Sequence, residues 1–264
     1  MLKLNGQKVE LRSFLDGTLC LRQAPPAKYA NIDWRYENDG ELFALYSLTR
    51  HLQKFGLKVN LFMPYIPHAR MDRVKNDEDV LTLKYFAECI NTMSFNKVRV
   101  LDPHSSVSEA LINNIVIDNP NEYIHSVISE ITSENDDNLM VFYPDVGAMK
   151  RYSDAAKLPY TFGVKNRDWK TGQYLGFKII GDQSLIGGKN VLIIDDICSK
   201  GDTVLHAAKA LKACGAKDIY FFVTHCENTI LKNKVLTSEF IKKVYTTDSI
   251  FNGEHEKIEI FKLS

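Results

Sequence analysis

Five short apolar segments recur along the chain, and stretches with a helical pattern lie between them. Each segment is rich in β-branched or aromatic residues and nearly continuously apolar, which is typical of parallel strands buried on both faces of a sheet. The segments are KVNLFMPY at 58–65, KVRVLD at 97–102, LMVFYPD at 139–145, NVLIIDD at 190–196 and DIYFFVTH at 218–225. This alternation predicts right-handed βαβ units, and therefore an α/β fold with mainly parallel sheets flanked by helices.

Two of the intervening stretches carry clear helix signals. In TVLHAAKALKACG at 203–215 the apolar residues fall on one helical face, and Gly215 stands where a glycine commonly ends a helix. The stretch ELFALYSLTRHLQKFG at 41–56 also ends in glycine after basic residues. We therefore predict a helix at both places.

Polar or titratable side chains stand at the ends of the predicted strands. They are Tyr65, Asp102, Asp145, Asp196 and His225. In open α/β sheets, ligands bind beyond the carboxyl ends of the strands. The pattern therefore predicts a binding site at that edge, although we assign no chemistry to His225.

The length of 264 residues accommodates two modest domains or one large domain. The polar segment NPNEYIHSVISEITSENDDN at 119–138 indicates a boundary or, alternatively, a surface helix followed by a turn. The two interpretations are compatible with each other. We predict an N-terminal domain at 1–135 and a C-terminal domain at 136–264.

The balance of charge argues against polyanionic partners. Lys and Arg number 33, as do Asp and Glu, so the formal net charge is zero, whereas nucleic-acid and membrane-surface binders usually carry a basic surplus. The segment MLKLNGQKVE lacks the apolar region of a secretory signal, and no run approaches 18 apolar residues. Five scattered cysteines without a CxxC pair favour reduced thiols and no zinc. We expect a cytoplasmic protein without nucleic-acid or membrane partners.

The segment NVLIIDDICSKGDT at 190–203 places two adjacent carboxylates, Asp195 and Asp196, at the end of a predicted strand. Because like charges repel, a cationic or hydroxyl-rich partner is expected beside them. Carboxylates can accept hydrogen bonds from vicinal ribose hydroxyls, while N–H groups at the start of the next helix can bind a phosphate. The Thr203 hydroxyl can donate to that phosphate or cap the helix. A capped structural turn is the alternative interpretation.

Six segments, taken together, resemble the phosphoribosyl-pyrophosphate (PRPP) synthetase family in their order and approximate spacing. The segment at 190–203 is similar to the signature that these synthetases share with phosphoribosyltransferases. The other five segments are SFLDGT at 13–18, PYIPHARMDR at 64–73, VLDPHSS at 100–106, YPDVGAMKR at 143–151 and VKNR at 164–167. Each segment alone is a weak signal, but together they cover nearly the whole chain.

The resemblance implies two phosphoribosyltransferase-like domains, with ATP on the N-terminal domain and a ribose-phosphate loop on the C-terminal domain. It implies a reaction in which the β,γ-diphosphoryl group of ATP moves to the anomeric hydroxyl of ribose 5-phosphate and AMP is released. Such a transfer needs positive charge on the moving group, a bridging metal and an in-line acceptor. The implied metal is Mg²⁺.

The resemblance also assigns roles to individual residues. Lys165 and Arg167 are expected to supply the positive charge from a loop over ATP, and an ordinary solvated loop is the alternative. His104 and Asp145 are expected to bind magnesium, with phosphate oxygens completing its coordination. The residues expected to bind ATP are Phe14, Asp16, Arg70, Asp72 and His104.

Two of these assignments carry further implications. Phe14 and Asp16 match residues that reach the adenine of a neighbouring subunit in the family, so the resemblance implies a homo-oligomer. Asp72 alternatively forms a structural ion pair with Arg73. The chain is shorter than usual synthetases, and we therefore expect an oligomer smaller than the family's hexamer.

For the acceptor, the resemblance implies that Asp195 and Asp196 hold the ribose hydroxyls. The implied 5′-phosphate pocket consists of Ser199, Lys200, Gly201, Asp202 and Thr203. The family usually has glycine in place of Asp202, whose carboxylate should repel a terminal phosphate dianion unless it points away or Lys200 compensates. An esterified 5′-phosphate carries less charge. ADP-ribose, which would feed NAD synthesis, is therefore an alternative acceptor to ribose 5-phosphate.

Other departures and alternatives remain. Met71 stands where synthetases often have glutamine, Thr18 replaces a glutamate, and VKNDED at 74–79 is acidic where many members are basic.

A PRPP-consuming phosphoribosyltransferase is a second hypothesis, although such an enzyme does not need the ATP-side segments. A non-catalytic regulatory paralogue is a third, although retention of the Lys165 and Arg167 charges argues against it.

Overall fold

The computed structural model of the chain describes residues 1–135, 138–167 and 174–263. The chain divides into two compact units, Met1–Asn119 and Pro120–Ser264. The predicted boundary between residues 135 and 136 differs from this division. The polar segment before it forms a helix whose apolar face packs in the core of the second unit, so that helix belongs with the second unit.

The first unit is built around a six-stranded sheet with the order β2-β1-β5-β6-β7-β8. Its strands and those of a separate hairpin are β1 (Leu2–Leu4), β2 (Gln7–Lys8), β3 (Leu11–Ser13), β4 (Leu19–Leu21), β5 (Ala30–Trp34), β6 (Val59–Phe62), β7 (Lys97–Leu101) and β8 (Ile115–Asp118). Its helices are α1 (Glu41–Lys54), α2 (Thr82–Thr92) and α3 (Ser106–Leu111). Strands β5 to β8 are parallel, β1 is antiparallel to its neighbours, and β3 and β4 form the hairpin.

The core of the first unit lies on one face of its sheet. In β5, β6 and β7 buried residues alternate with more exposed ones, as expected for strands with one buried face. Helix α1 covers the buried face because Leu45, Leu48 and Leu52 fall on one side of it and are fully buried. The indole of Trp34 donates a buried hydrogen bond from Nε1 to Glu41 Oε2 at 2.9 Å, which joins β5 to the start of α1.

The second unit is built around a seven-stranded sheet with the order β11-β10-β9-β12-β13-β14-β15. Its strands are β9 (Leu139–Tyr143), β10 (Tyr160–Arg167), β11 (Tyr174–Ile180), β12 (Asn190–Cys198), β13 (Ile219–Cys226), β14 (Lys243–Thr247) and β15 (Ile258–Phe261). Its α-helices are α4 (Asn121–Asn135), α5 (Val146–Ala156), α6 (Asp202–Ala213) and α7 (Lys234–Thr237). All neighbouring strands are parallel except β10 and β11.

The sheet of the second unit is buried on both faces. Val191 and Ile193 belong to one apolar cluster with α6, while Leu192 and Ile194 belong to a second cluster with α4 and α5. Burial on both sides explains why β12 and β13 are unbroken apolar runs in the sequence. The predicted α/β fold with mainly parallel, helix-flanked sheets is confirmed.

The predicted elements agree with the structure in position and differ in their ends. All five predicted strands are present, and the two predicted helices are α1 and α6, each followed by a glycine with positive φ. Strand β12 continues to Cys198, so Asp195 and Asp196 lie within the strand and not at its end. None of the described helices is long and apolar enough to cross a membrane.

Candidate functional site

The loop after β12 has the geometry of an anion-binding turn. Gly201 has a φ of +82° and directly precedes the first helical residue of α6, Asp202. A Cβ atom at residue 201 would lie 2.5 Å from Val235 Cγ2, so both conformation and space require glycine there. The N–H groups of the first turn of α6 have no partner within the helix, and such a terminus favours an anion.

The two adjacent aspartates of β12 have different environments. Asp196 is buried, and its Oδ2 accepts a hydrogen bond from Arg151 Nη1 of α5 at 2.9 Å, which forms an ion pair. Asp195 is half-buried, and its Oδ1 accepts a hydrogen bond from the backbone N–H of Asp196 at 3.0 Å. Arg151 therefore compensates the charge of Asp196 and leaves Asp195 as the carboxylate available to a ligand.

The electrostatics of Asp195 follow from this arrangement. Burial raises the pKa of Asp195 well above its usual range, and the charges of Asp196 and Asp145 raise it further. The last residue of β9 is Tyr143, and β9 is the neighbour of β12, so Asp145 lies at the same edge of the sheet. A carboxylate with a raised pKa is stabilised by a ligand that brings positive charge or hydroxyl donors.

Asp145, which was predicted to bind magnesium, also has a structural role at the start of α5. It is the N-cap of α5, and its Oδ1 accepts a hydrogen bond from the backbone N–H of Ala148 at 3.0 Å. No group of three or more His, Cys, Asp or Glu side chains within residues 1–135, 138–167 and 174–263 could form a complete metal cage. The charge of Asp145 acts on Asp195, so these two carboxylates are the residues of this edge that could hold a cation such as Mg²⁺, which takes one or two carboxylates and completes its shell with phosphates and water.

The side chains of the predicted phosphate pocket are engaged in different ways. Ser199 Oγ donates a hydrogen bond to Glu227 Oε2 at 2.7 Å. Lys200 and Asp202 are exposed, and Asp202 Oδ1 accepts a long hydrogen bond of 3.4 Å from Asn233 Nδ2. Thr203 is half-buried in the first turn of α6 and is not its N-cap, because Gly201 occupies that position.

Glu227 was not predicted from the sequence. It follows β13 directly, and its backbone N–H donates to the carbonyl of Cys198 at 2.8 Å, which fixes it beside the end of β12. Its place just beyond a predicted strand at 218–225 was the available signal. Its contact with Ser199 depends on the adjacency of β12 and β13, which the sequence does not state.

The predicted catalytic pair lies in a strand and not in a loop. The backbone of Lys165 and Arg167 belongs to β10, where these residues pair antiparallel with Phe177 and Tyr174 of β11. Their side chains, and the whole of residues 168–173, lie outside the described part of the chain. The polar sequence VKNRDWKTG favoured a loop, but pairing with the apolar β11 gives residues 164–167 a strand partner.

In the first unit, two predicted ATP-binding residues lie on the β3–β4 hairpin. Phe14 is 60% exposed at its tip. Asp16 Oδ1 accepts hydrogen bonds from the backbone N–H of Thr18 at 3.0 Å and from Thr18 Oγ1 at 2.7 Å, and these bonds lower the pKa of Asp16. Asp16 therefore stabilises the turn, while Phe14 is presented to solvent.

The other predicted ATP-binding residues follow β6 and β7. Arg70 is exposed, and Asp72 forms an ion pair with Arg73 at 3.8 Å, which was the structural alternative for Asp72. His104 is half-buried between β7 and α3. The preceding Asp102 is buried with a φ of +44°, a strained conformation for a residue other than glycine. This part of the chain thus has a constrained loop at the carboxyl edge of its own sheet.

The fold and this edge of the second sheet define a class of protein. Residues 127–258 match the phosphoribosyl transferase domain family, and this match covers half of the chain. The chain therefore belongs to the phosphoribosyl transferase domain family. The relatives that it resembles in sequence are ribose-phosphate pyrophosphokinases, or PRPP synthetases.

Two relatives illustrate this resemblance in sequence. The chain is 28% identical over 200 residues to the ribose-phosphate pyrophosphokinase of Bradyrhizobium diazoefficiens. This alignment covers 73% of the chain and 60% of that protein. It is 30% identical over 213 residues to that of Bacillus caldolyticus, with coverages of 78% and 65%. The chain thus spans less than two thirds of the length of either relative.

A solved structure supports the fold independently. The phosphoribosylpyrophosphate synthetase from Mycobacterium smegmatis superposes with a TM-score of 0.79 at 18% sequence identity. The match covers 97% of this chain and 86% of that chain. At this identity the similarity establishes the shared fold.

Proposed function

We propose that the chain is a diphosphotransferase that moves the β,γ-diphosphoryl group of ATP to the anomeric hydroxyl of a ribose 5-phosphoryl acceptor and releases AMP. The observation that carries this proposal is the segment 195–203, in which Asp195 leads through Gly201 into the N-terminus of α6. It combines a carboxylate for ribose hydroxyls with a turn for a phosphate. The relatives named ribose-phosphate pyrophosphokinase support the reaction.

In this proposal the acceptor is held by the carboxyl edge of β12. Asp195 accepts hydrogen bonds from the ribose hydroxyls, and the hydrogen bond from Arg151 fixes Asp196 beside it. The backbone of residues 199–203 and the first turn of α6 hold the 5′-phosphate. This arrangement fixes the ribose so that its anomeric hydroxyl is placed for in-line attack.

We assign to Lys165 and Arg167 the positive charge that stabilises the diphosphoryl group during its transfer. A guanidinium offers a fixed fork to phosphate oxygens, and an ammonium offers a mobile point charge. We assign magnesium to Asp145, which lies beside Asp195 in the second unit. The magnesium role of His104, in the first unit, stays an expectation from the sequence. Bound Mg²⁺ would neutralise charge on the phosphates of ATP.

ATP and the oligomer complete the proposal. Arg70 is assigned to the phosphates or the adenine of ATP, and Asp72 and His104 are assigned to ATP as well. The exposed tip of the β3–β4 hairpin, which carries Phe14 and the fully exposed Leu15, supports a homo-oligomer in which the tip contacts a neighbouring subunit. A cytoplasmic location remains an expectation from the sequence.

Two acceptors are compatible with the loop. Ribose 5-phosphate would give PRPP. Asp202 stands at the first position of α6, where its carboxylate weakens the attraction of the helix terminus for a dianion, and this observation favours ADP-ribose. The 5′-phosphate of ADP-ribose is esterified and carries less charge at this position.

The test is AMP release from ATP and magnesium with either ribose 5-phosphate or ADP-ribose. We expect AMP with at least one acceptor. We expect Lys165→Ala and Arg167→Ala to lower kcat by about 10²-fold or more while the fold persists, and Asp195→Asn to lower kcat/KM for the acceptor. Asp154→Asn, an exposed change on α5, is the matched control. Absence of AMP with both acceptors would contradict the proposal and favour the regulatory paralogue.

A further inference from the structure

A carboxylate that the reaction does not require lies against the ribose-phosphate loop. Glu227 is half-buried at the end of β13, and its backbone N–H is bonded to the carbonyl of Cys198. Its Oε2 accepts hydrogen bonds from Ser199 Oγ at 2.7 Å and from Thr229 Oγ1 at 3.3 Å. The carboxylate is therefore fixed beside the first residue of the loop.

This contact changes what Ser199 can offer to a phosphate. A serine hydroxyl has one proton, and here that proton is donated to Glu227. A phosphate oxygen needs a donor, so Ser199 in this arrangement presents only lone pairs to it. The loop is left with its backbone N–H groups, Lys200 and Thr203 as donors.

The contact also changes the charge around the loop. The carboxylates of Glu227 and Asp202 flank it on two sides, and the ammonium of Lys200 opposes them from an exposed position. The N-terminus of a helix contributes only about half a positive charge. A phosphate monoester carries about −1.5 to −2 charges near neutral pH, and a diester carries one. The second negative charge of a monoester is therefore repelled by the carboxylates that already surround the loop.

We propose that Glu227 is a specificity-determining residue, which makes the loop favour an acceptor whose 5′-phosphate is a monoanionic diester over one whose 5′-phosphate is a dianionic monoester. This inference rests on the proposed function, because it concerns the acceptor of that reaction. Glu227 acts through its charge and through Ser199. It takes no part in the transfer itself.

The decisive variant is Glu227→Gln. It removes the charge and keeps an amide oxygen that can accept from Ser199, so it separates the charge from the structural bond between β12 and β13. Glu239→Gln, an exposed change on the same unit, is the matched control. The probes are ribose 5-phosphate and the methyl ester of its phosphate, which differ by one charge and a methyl group.

KM and kcat are measured for both acceptors by AMP release, and the affinity of each acceptor is measured by calorimetry without ATP. We expect Glu227→Gln to lower KM and Kd for ribose 5-phosphate by about ten-fold, to change those of the methyl ester much less, and to leave kcat unaltered. The effect should shrink at high salt. Glu239→Gln should leave the ratio of the two acceptors as it is.

Equal changes for both acceptors, or none, would overturn the proposal and leave Glu227 a structural residue. The proposed function can fail separately. If the wild-type protein releases no AMP, calorimetry still decides, because tighter binding of ribose 5-phosphate to the Glu227→Gln protein supports the inference. Failure of both proteins to bind either probe would overturn it, since the loop would then not be a ribose-phosphate site.

Discussion

The two sheets of the chain differ in whether their second face is buried by apolar packing. In the second unit, consecutive residues of β12 enter apolar clusters on opposite faces. In the first unit, β6 buries Val59 and Leu61 but leaves Asn60 and Phe62 only half-buried. Parallel sheets usually bury both faces, so the first sheet is the exception.

A polar network occupies the second face of the first sheet. Asn60 donates from Nδ2 to Asn31 Oδ1, and Asn96 donates from Nδ2 to Asn60 Oδ1, both at 2.8 Å. Farther along the strands, the guanidinium groups of Arg35 and Arg99 lie 5.2 and 4.9 Å from the ring centre of Phe62. Side-chain hydrogen bonds and cation–π contacts thus replace apolar packing on this face.

This difference predicts its largest loss in the free energy of unfolding for substitutions at neighbouring residues of β12. Leu192→Ala and Ile193→Ala should each lower the free energy of unfolding by about 2–5 kcal/mol, because each removes packing from a different buried face. The measurement is urea denaturation. Leu61→Ala in β6 should cost a similar amount. A loss below about 1 kcal/mol for either change in β12 would show that one face is not packed as described.

The second-largest difference is expected between the glycines of two loops, the turn of the β3–β4 hairpin and the loop after β12. Gly201 and Gly17 have nearly the same φ, +82° and +84°, but a Cβ at Gly17 would meet no atom within 4 Å. Gly17→Ala should cost about 1 kcal/mol from backbone strain alone. Gly201→Ala should cost about 3 kcal/mol, because the clash with Val235 adds to that strain. Equal losses in urea denaturation would mean that Val235 can move aside.

The smallest effect should be that of the asparagine network. Asn60→Ala removes two hydrogen bonds, but water can replace them on an accessible face, so the expected loss is about 1 kcal/mol. The same measurement applies, with Leu61→Ala as the buried neighbour. A loss as large as that of Leu61→Ala would indicate that this face is shielded from water.

These two sheets also explain which parts of the fold the sequence predicted. Strands β12 and β13 were predictable because burial on both faces produces unbroken apolar runs. The segment 58–65 contains Asn60, and that polar residue was the sign of a sheet with one buried face. The short strands β1 to β4 were missed, since two or three residues carry no period. The strand at 164–167 was missed because its polar residues favour a loop, although it pairs with the next strand, β11.

The candidate site was predictable where a local motif carries it. Asp195, Asp196 and the glycine turn lie in one continuous segment, and the structure joins them through β12 and α6. The partners of these residues come from other elements. Arg151 reaches Asp196 from α5 and Glu227 reaches Ser199 from β13, and both contacts depend on tertiary packing.

Helix α5 is tied to the site at two points, because Asp145 caps its first turn and Arg151 on the same helix pairs with Asp196. A substitution at Asp145 would therefore alter helix initiation as well as any ligand contact. In a library selected for new acceptors, position 145 should tolerate little variation, and changes there should succeed mainly with Asn, Ser or Thr, which can also begin a helix. The evolutionary freedom of the site is thus greater in its loop than in the residues that connect it to α5.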